Sequence, residues 1–160
     1  MINSENVEYH SMGSKTNFFK KEQYPKLIVQ GVESNQIDKI LFVVDADNSI
    51  SDTKKSGFEN TQNALNEMII ELGFQSVASI YIMCDPKDKT GYSESLILST
   101  IPDTQRRCIE SFLQCSQFKS KENHKAILNQ IYKLAYPDAP YDFSHAHFDL
   151  LKTELKNLFI

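Results

Sequence analysis

The stretch that decides the fold is Ile37-Asp38-Lys39-Ile40-Leu41-Phe42-Val43-Val44-Asp45-Ala46-Asp47-Asn48. Residues 40 to 44 form an unbroken β-prone run in which polar and apolar positions do not alternate. A continuous run of this kind suits a strand covered on both faces, as in the parallel sheets of α/β proteins. The reading predicts a strand over Ile37–Val44, ended abruptly by Asp45 and Asp47.

Working outward, the pattern alternates between strand and helix. Thr53–Leu72 reads as a helix whose stripe is Phe58, Leu65, Met68, Ile69 and Leu72, with Gly73 as its stop. Ser76–Cys84 reads as a second apolar strand, ending at Asp85-Pro86. Upstream, Val7–Met12 (VEYHSM) alternates and predicts a short strand before the Gly13-Ser14 turn. Thr16–Val29 has mostly helical spacing, broken at Pro25. Downstream come four helical stretches: Ser93–Thr100, Thr104–Phe118 (Cys108, Ile109, Phe112 and Leu113 inward), Lys121–Tyr136 and Phe148–Phe159. The order β-α-β-α-β followed by helices predicts a mostly parallel sheet in three layers, with a helical C-terminal extension. The core would span residues 7–103 and the extension 104–160.

Composition narrows the class. The chain has 160 residues, 41% hydrophobic and 24% charged, which suits one domain, or one domain with a small appendage, rather than a disordered chain. No apolar run approaches the roughly 18 residues of a membrane span, and no secretory signal opens the chain. Cys84, Cys108 and Cys115 lack metal-type pairing, which predicts a reducing, cytoplasmic setting. Cys108 and Cys115 share a helix face and read as small core hydrophobes. Seventeen basic residues against 21 acidic ones give a net charge of −4. Contact with nucleic acid would then need a local patch or a metal ion.

Ligands of open α/β sheets bind beyond the carboxyl ends of the strands. Two strand ends here carry acids: Asp45 and Asp47 on the first, Asp85 on the second. Neighbouring carboxylates repel, and a cation relieves that repulsion. Hard oxygen donors favour Mg²⁺ or Mn²⁺, which could also neutralise phosphate oxygens. The alternative is that these acids cap a helix or hold a turn. In the loop Cys84–Glu94 (CDPKDKTGYSE), Asp88 and Glu94 could add to a metal site, and Lys87 and Lys89 could meet phosphate. Alternatively the loop is solvated, with Ser93 as N-cap. His124-Lys125 could face a substrate backbone or simply solvent. His145 and His147 lack a third ligand at zinc spacing and read as structural. Lys15, after Gly13-Ser14, is too short a fragment for a phosphate loop. A haloacid-dehalogenase-like phosphatase would use Asp45 as nucleophile and Asp47 as acid/base. That class also needs a Lys and an acidic pair at separate strand ends, whereas Lys87 and Asp88 share one loop.

The pieces ILFVVDADNS (40–49), IYIMCDPKDKTGYSESLIL (80–98) and NHKAILNQIYKLAYPDAP (123–140) occur in the order found in an uncharacterised Toprim-related family of bacteria and archaea. The chain resembles that family over roughly residues 7–159. The resemblance implies a three-layer Toprim-like, Rossmann-like fold. It gives Asp45 and Asp47 a metal role, places Asp85, Glu94, His124 and Lys125 at family positions, and implies nucleotidyl transfer or phosphodiester cleavage. Its partners would be a nucleotide or nucleic acid, met through Mg²⁺ or Mn²⁺. The family's opening strand ends in Glu-Gly and carries the acid/base. Glu8, in VEYH, has no following Gly. That strand is expected either upstream of this reading frame or lost. In the second case the chain would be a binding or regulatory module, with a sheet edge open to a second copy or a protein partner.

Overall fold

The computed structural model describes residues 7–47, 55–115 and 143–159. Its centre is a pair of parallel strands, β1 (Ile40–Asp45) and β2 (Ala78–Met83), in register from Ile40 opposite Ala78 to Asp45 opposite Met83. The chain is therefore of the α/β class. Successive side chains of a strand point to opposite faces, and both faces of this sheet are apolar. Phe42, Val44, Ile82 and Cys84 enter one cluster with Leu65, Met68, Ile69, Leu72, Phe74 and Tyr24. Tyr81, with Leu41 and Met83, enters another with Leu96, Phe148 and Leu151. Burial on two faces is what an unbroken β-prone run encodes.

Helix α1 (Lys26–Glu33) starts directly after Pro25, whose fixed φ suits a helix entry. Before it, the chain runs through two 3₁₀ turns, Lys15–Phe19 and Lys21–Gln23. Helix α2 (Phe58–Leu72) buries Thr61, Leu65, Met68, Ile69 and Leu72, a stripe at three- and four-residue spacing. It ends at Gly73, which adopts a left-handed φ of 75° that a Cβ would disfavour. Helices α3 (Ser93–Leu98) and α4 (Asp103–Cys115) follow β2, and α5 (Asp149–Asn157) closes the described chain. Phe148 and Leu151 carry the start of α5 onto the second apolar cluster.

Three expectations are corrected. Val7–Met12 is not a strand: Tyr9 is 95% exposed, and the segment adopts no regular structure. Alternation describes one-sided burial, but a strand also needs a hydrogen-bonding neighbour, and the six residues pair with none among the described residues. Cys108 and Cys115 are exposed rather than core. The helix expected from Thr53 begins at Phe58, after a turn through Gly57. The expected helix Lys121–Tyr136 lies outside the described residues. No helix among the described residues is long and apolar enough to cross a membrane.

Candidate functional site

The carboxyl ends of β1 and β2 meet a loop that returns from Asp85 to α3. Asp45 is the last residue of β1, and its Oδ1 accepts a hydrogen bond of 2.9 Å from the backbone N–H of Ser93, the first residue of α3. Two residues on, Asp47 pairs with Gly91 through both backbone groups, at 2.7 and 3.2 Å. Asp47 there has φ of 63°, the left-handed region that Asp tolerates better than most residues. Gly91 has φ of 97°, and a Cβ at that position would collide with the Ser95 side chain. The loop thus closes on the D-x-D only because residue 91 is glycine.

Asp85 begins a tight turn. Its Oδ1 accepts from the Lys87 backbone N–H at 2.9 Å, an Asx turn, and its backbone pairs with Lys89 and Thr90. Its Oδ2 lies 3.5 Å from Arg106 Nη1 of α4, an ion pair in which both side chains are mostly buried. Lys87, Asp88 and Lys89 are exposed, and the Lys89 ammonium sits 5.0 Å above the Phe58 ring. Glu94 accepts from the Ser93 hydroxyl at 3.2 Å. The Cys84 thiol, buried beside Asp85, is pushed above its ordinary pKa by burial, an effect the nearby Lys89 opposes.

The most informative residue is Lys15. Its Nζ lies 3.2 Å from Asp47 Oδ2 and donates to the Ala46 carbonyl and the Thr61 hydroxyl, both at 2.8 Å. Ala46 and Thr61 are fully buried, and the Ala46 carbonyl also accepts from Gly57 N–H. The 3₁₀ turn of residues 15–19 holds this lysine in place. Asn17 Nδ2 donates to Met12 O at 2.7 Å, Tyr24 Oη donates to Phe18 O at 2.7 Å, and Phe18 and Phe19 pack on the core.

The fold therefore brings Asp45, Asp47, Asp85 and Glu94 to one edge, with Lys87 on the same loop. His124 and Lys125 lie outside the described residues. Reading the sequence missed Lys15, Thr61 and Arg106 as members of the site. Thr61 carried one usable signal, a hydroxyl on the otherwise apolar stripe of α2. Lys87 and Asp88 share a single turn, so the two-strand-end arrangement of a haloacid dehalogenase is not formed here. His147 Nδ1 meets Ser99 Oγ at 2.8 Å, and His145 Nδ1 accepts from the His147 N–H, which ties α5 to α3.

The donor chemistry of the acids suits a hard divalent cation. Among the described residues no group of three or more His, Cys, Asp or Glu side chains is assembled to hold a metal ion. Side-chain cations sit on Asp47 and Asp85. The chain matches no protein-family model, no curated protein and no solved structure.

Proposed function

We propose that this chain is a Toprim-like binding or regulatory module that engages a nucleotide or nucleic-acid phosphate at the carboxyl edge of β1 and β2 without cutting it. The observation that carries this reading is the pairing of the strand-end acids with Lys15 and Arg106. Strand ends in α/β sheets are where ligands bind, and here the cations Lys15, Lys87, Lys89 and Arg106 gather near the acids although the chain as a whole is acidic. In the same reading, the two strands with an apolar cluster on each face are the centre of a three-layer fold.

A second reading, a Mg²⁺- or Mn²⁺-dependent nuclease or nucleotidyl transferase, draws support from Asp45, Asp47 and Asp85 lying at or just beyond the carboxyl ends of β1 and β2. Asp45, Asp47 and Asp85 would hold the ion, and Lys15 would have to leave Asp47.

Fluorescence anisotropy with a labelled single-stranded oligonucleotide, with and without Mg²⁺, separates the readings. The module predicts saturable binding that weakens with salt, and no cleavage product on gels in Mg²⁺ or Mn²⁺. Metal-dependent cleavage abolished by Asp47→Asn would establish the enzyme instead. Failure to bind single strands, duplexes or nucleotides would sink both.

A further inference from the structure

The D-x-D is expected to attract a divalent ion, yet a lysine from a distant segment occupies its cation position. An ammonium has three N–H donors and no acceptor. That of Lys15 faces three kinds of hard oxygen: a carboxylate (Asp47), a carbonyl (Ala46) and a hydroxyl (Thr61). These are the donors a hard cation uses. The distances of 2.8 to 3.2 Å are ammonium distances, well beyond the roughly 2.0–2.1 Å that Mg²⁺ demands. The Lys15 side chain is only 15% exposed, so the charge is held in the site rather than waving above it.

We propose that Lys15 is a tethered counter-cation that excludes divalent metal from the D-x-D: the seat around Asp47, Ala46 and Thr61 is a cation site filled from within the chain, and it accepts Mg²⁺ or Mn²⁺ only when Lys15 withdraws. This rests on the reading of the strand-end edge as the ligand site. Two features make the device physical. The seat is anchored to regular structure, since Ala46 directly follows β1, with its N–H bonded to the Met83 carbonyl of β2 at 2.9 Å, and Thr61 lies on α2. The tether is also a separate element, the 3₁₀ turn of residues 15–19, joined to the D-x-D by side-chain contacts rather than by a shared strand. A divalent ion entering beside a seated ammonium would meet like-charge repulsion at close range, so the two occupants compete.

The test is a Mn²⁺ titration followed by broadening of the backbone amide resonances of Ala46, Asp47 and Gly91. Wild type is expected to show no saturable broadening at these three amides. Lys15→Met, which keeps the apolar stem and removes the charge, is expected to show it at Mn²⁺ concentrations at least about tenfold lower than any effect in wild type. Adding Asp47→Asn in that background should abolish it, and Lys15→Arg should behave as wild type. Saturable broadening in wild type, or its absence in a folded Lys15→Met, overturns the proposal. Should Lys15→Met unfold, the wild-type Lys15 ammonium resonance decides. Its protection from solvent exchange should persist as Mg²⁺ is added, and loss of that protection overturns the proposal. Oligonucleotide binding by wild type is read separately, so failure of the function and failure of the counter-cation are distinguishable.

Discussion

Thr61→Val tests the energetics of the site most cleanly, because it removes a hydroxyl and keeps the shape. Thr61 is fully buried on α2. Its Oγ1 accepts from Lys15 Nζ at 2.8 Å and donates to the Lys55 carbonyl at 3.1 Å, with the Ala46 carbonyl a longer acceptor at 3.3 Å. Losing a hydrogen bond to a charged donor costs about 1.5–3 kcal/mol, and losing a neutral one about 1 kcal/mol. Replacing the hydroxyl by a buried methyl returns at most about 0.8 kcal/mol. The ammonium keeps Asp47 and the Ala46 carbonyl, so it is not stranded, and the lower end of the charged range applies. The net expectation is about 2 kcal/mol of destabilisation. For a chain of this size that lowers Tm by about 4–8 °C. Urea unfolding followed by far-UV circular dichroism measures it. The decisive quantity is the coupling in a double-mutant cycle with Lys15→Met, expected at about 1–2 kcal/mol for two groups in contact. A coupling below about 0.3 kcal/mol, the error of additivity itself, would refute the assignment of Lys15 to this seat.

Other outcomes follow from the core and from the titrating groups. Leu65→Ala, at a fully buried position of α2, should cost about 3 kcal/mol in urea unfolding, whereas Ile70→Ala, 62% exposed on the same helix, should stay within about 0.5 kcal/mol. Burial pushes Tyr24 and Tyr81 each up to about 12. Both phenols ionise more easily in the unfolded chain, so their stabilisation is intact below pH 10 and is lost as pH rises from about 10 to about 12. Phenolate absorbance in the native protein should lag behind that of the urea-unfolded protein over that window, and superimposed curves would contradict the burial. Cys108 and Cys115 are exposed while Cys84 is buried with a raised pKa. A thiol reagent should therefore modify two sulfurs rapidly and the third only on denaturation.

The parts of the fold that could be read in the sequence are those whose signal is local and redundant. Ile40, Phe42 and Val44 belong to one apolar cluster and Leu41 to the other, so the run is apolar on both faces although Val43 stays 37% exposed. The stripe of α2 and its Gly73 stop specify both a face and an end. Val7–Met12 misled because alternation reports the side chains, while a strand is decided by whether its backbone finds a partner. Cys108 misled for a related reason. Periodicity gives α4 an apolar face, but Phe112 on that helix is 45% exposed, since a face does not specify what packs on it.

The site divides along the same line. Its acids were legible because strand ends and acids are both local features. Its cations were not, because Lys15 reaches Ala46 across 31 residues and Thr61 across 46, and Arg106 reaches Asp85 across 21. This asymmetry matters for what a D-x-D can mean. Two carboxylates at a strand end create a demand for positive charge, and the demand is the same whether an ion or a side chain meets it. A free divalent ion must be gathered from solution and leaves when its concentration falls. A lysine on a 3₁₀ turn whose Phe18 and Phe19 pack on the core is present whenever the chain is folded. The motif therefore states the electrostatic problem, and the residue that arrives from elsewhere in the chain determines whether the answer is a metal centre or an ion pair. In this protein the residue that reaches Asp47 is Lys15, and the one that reaches Asp85 is Arg106.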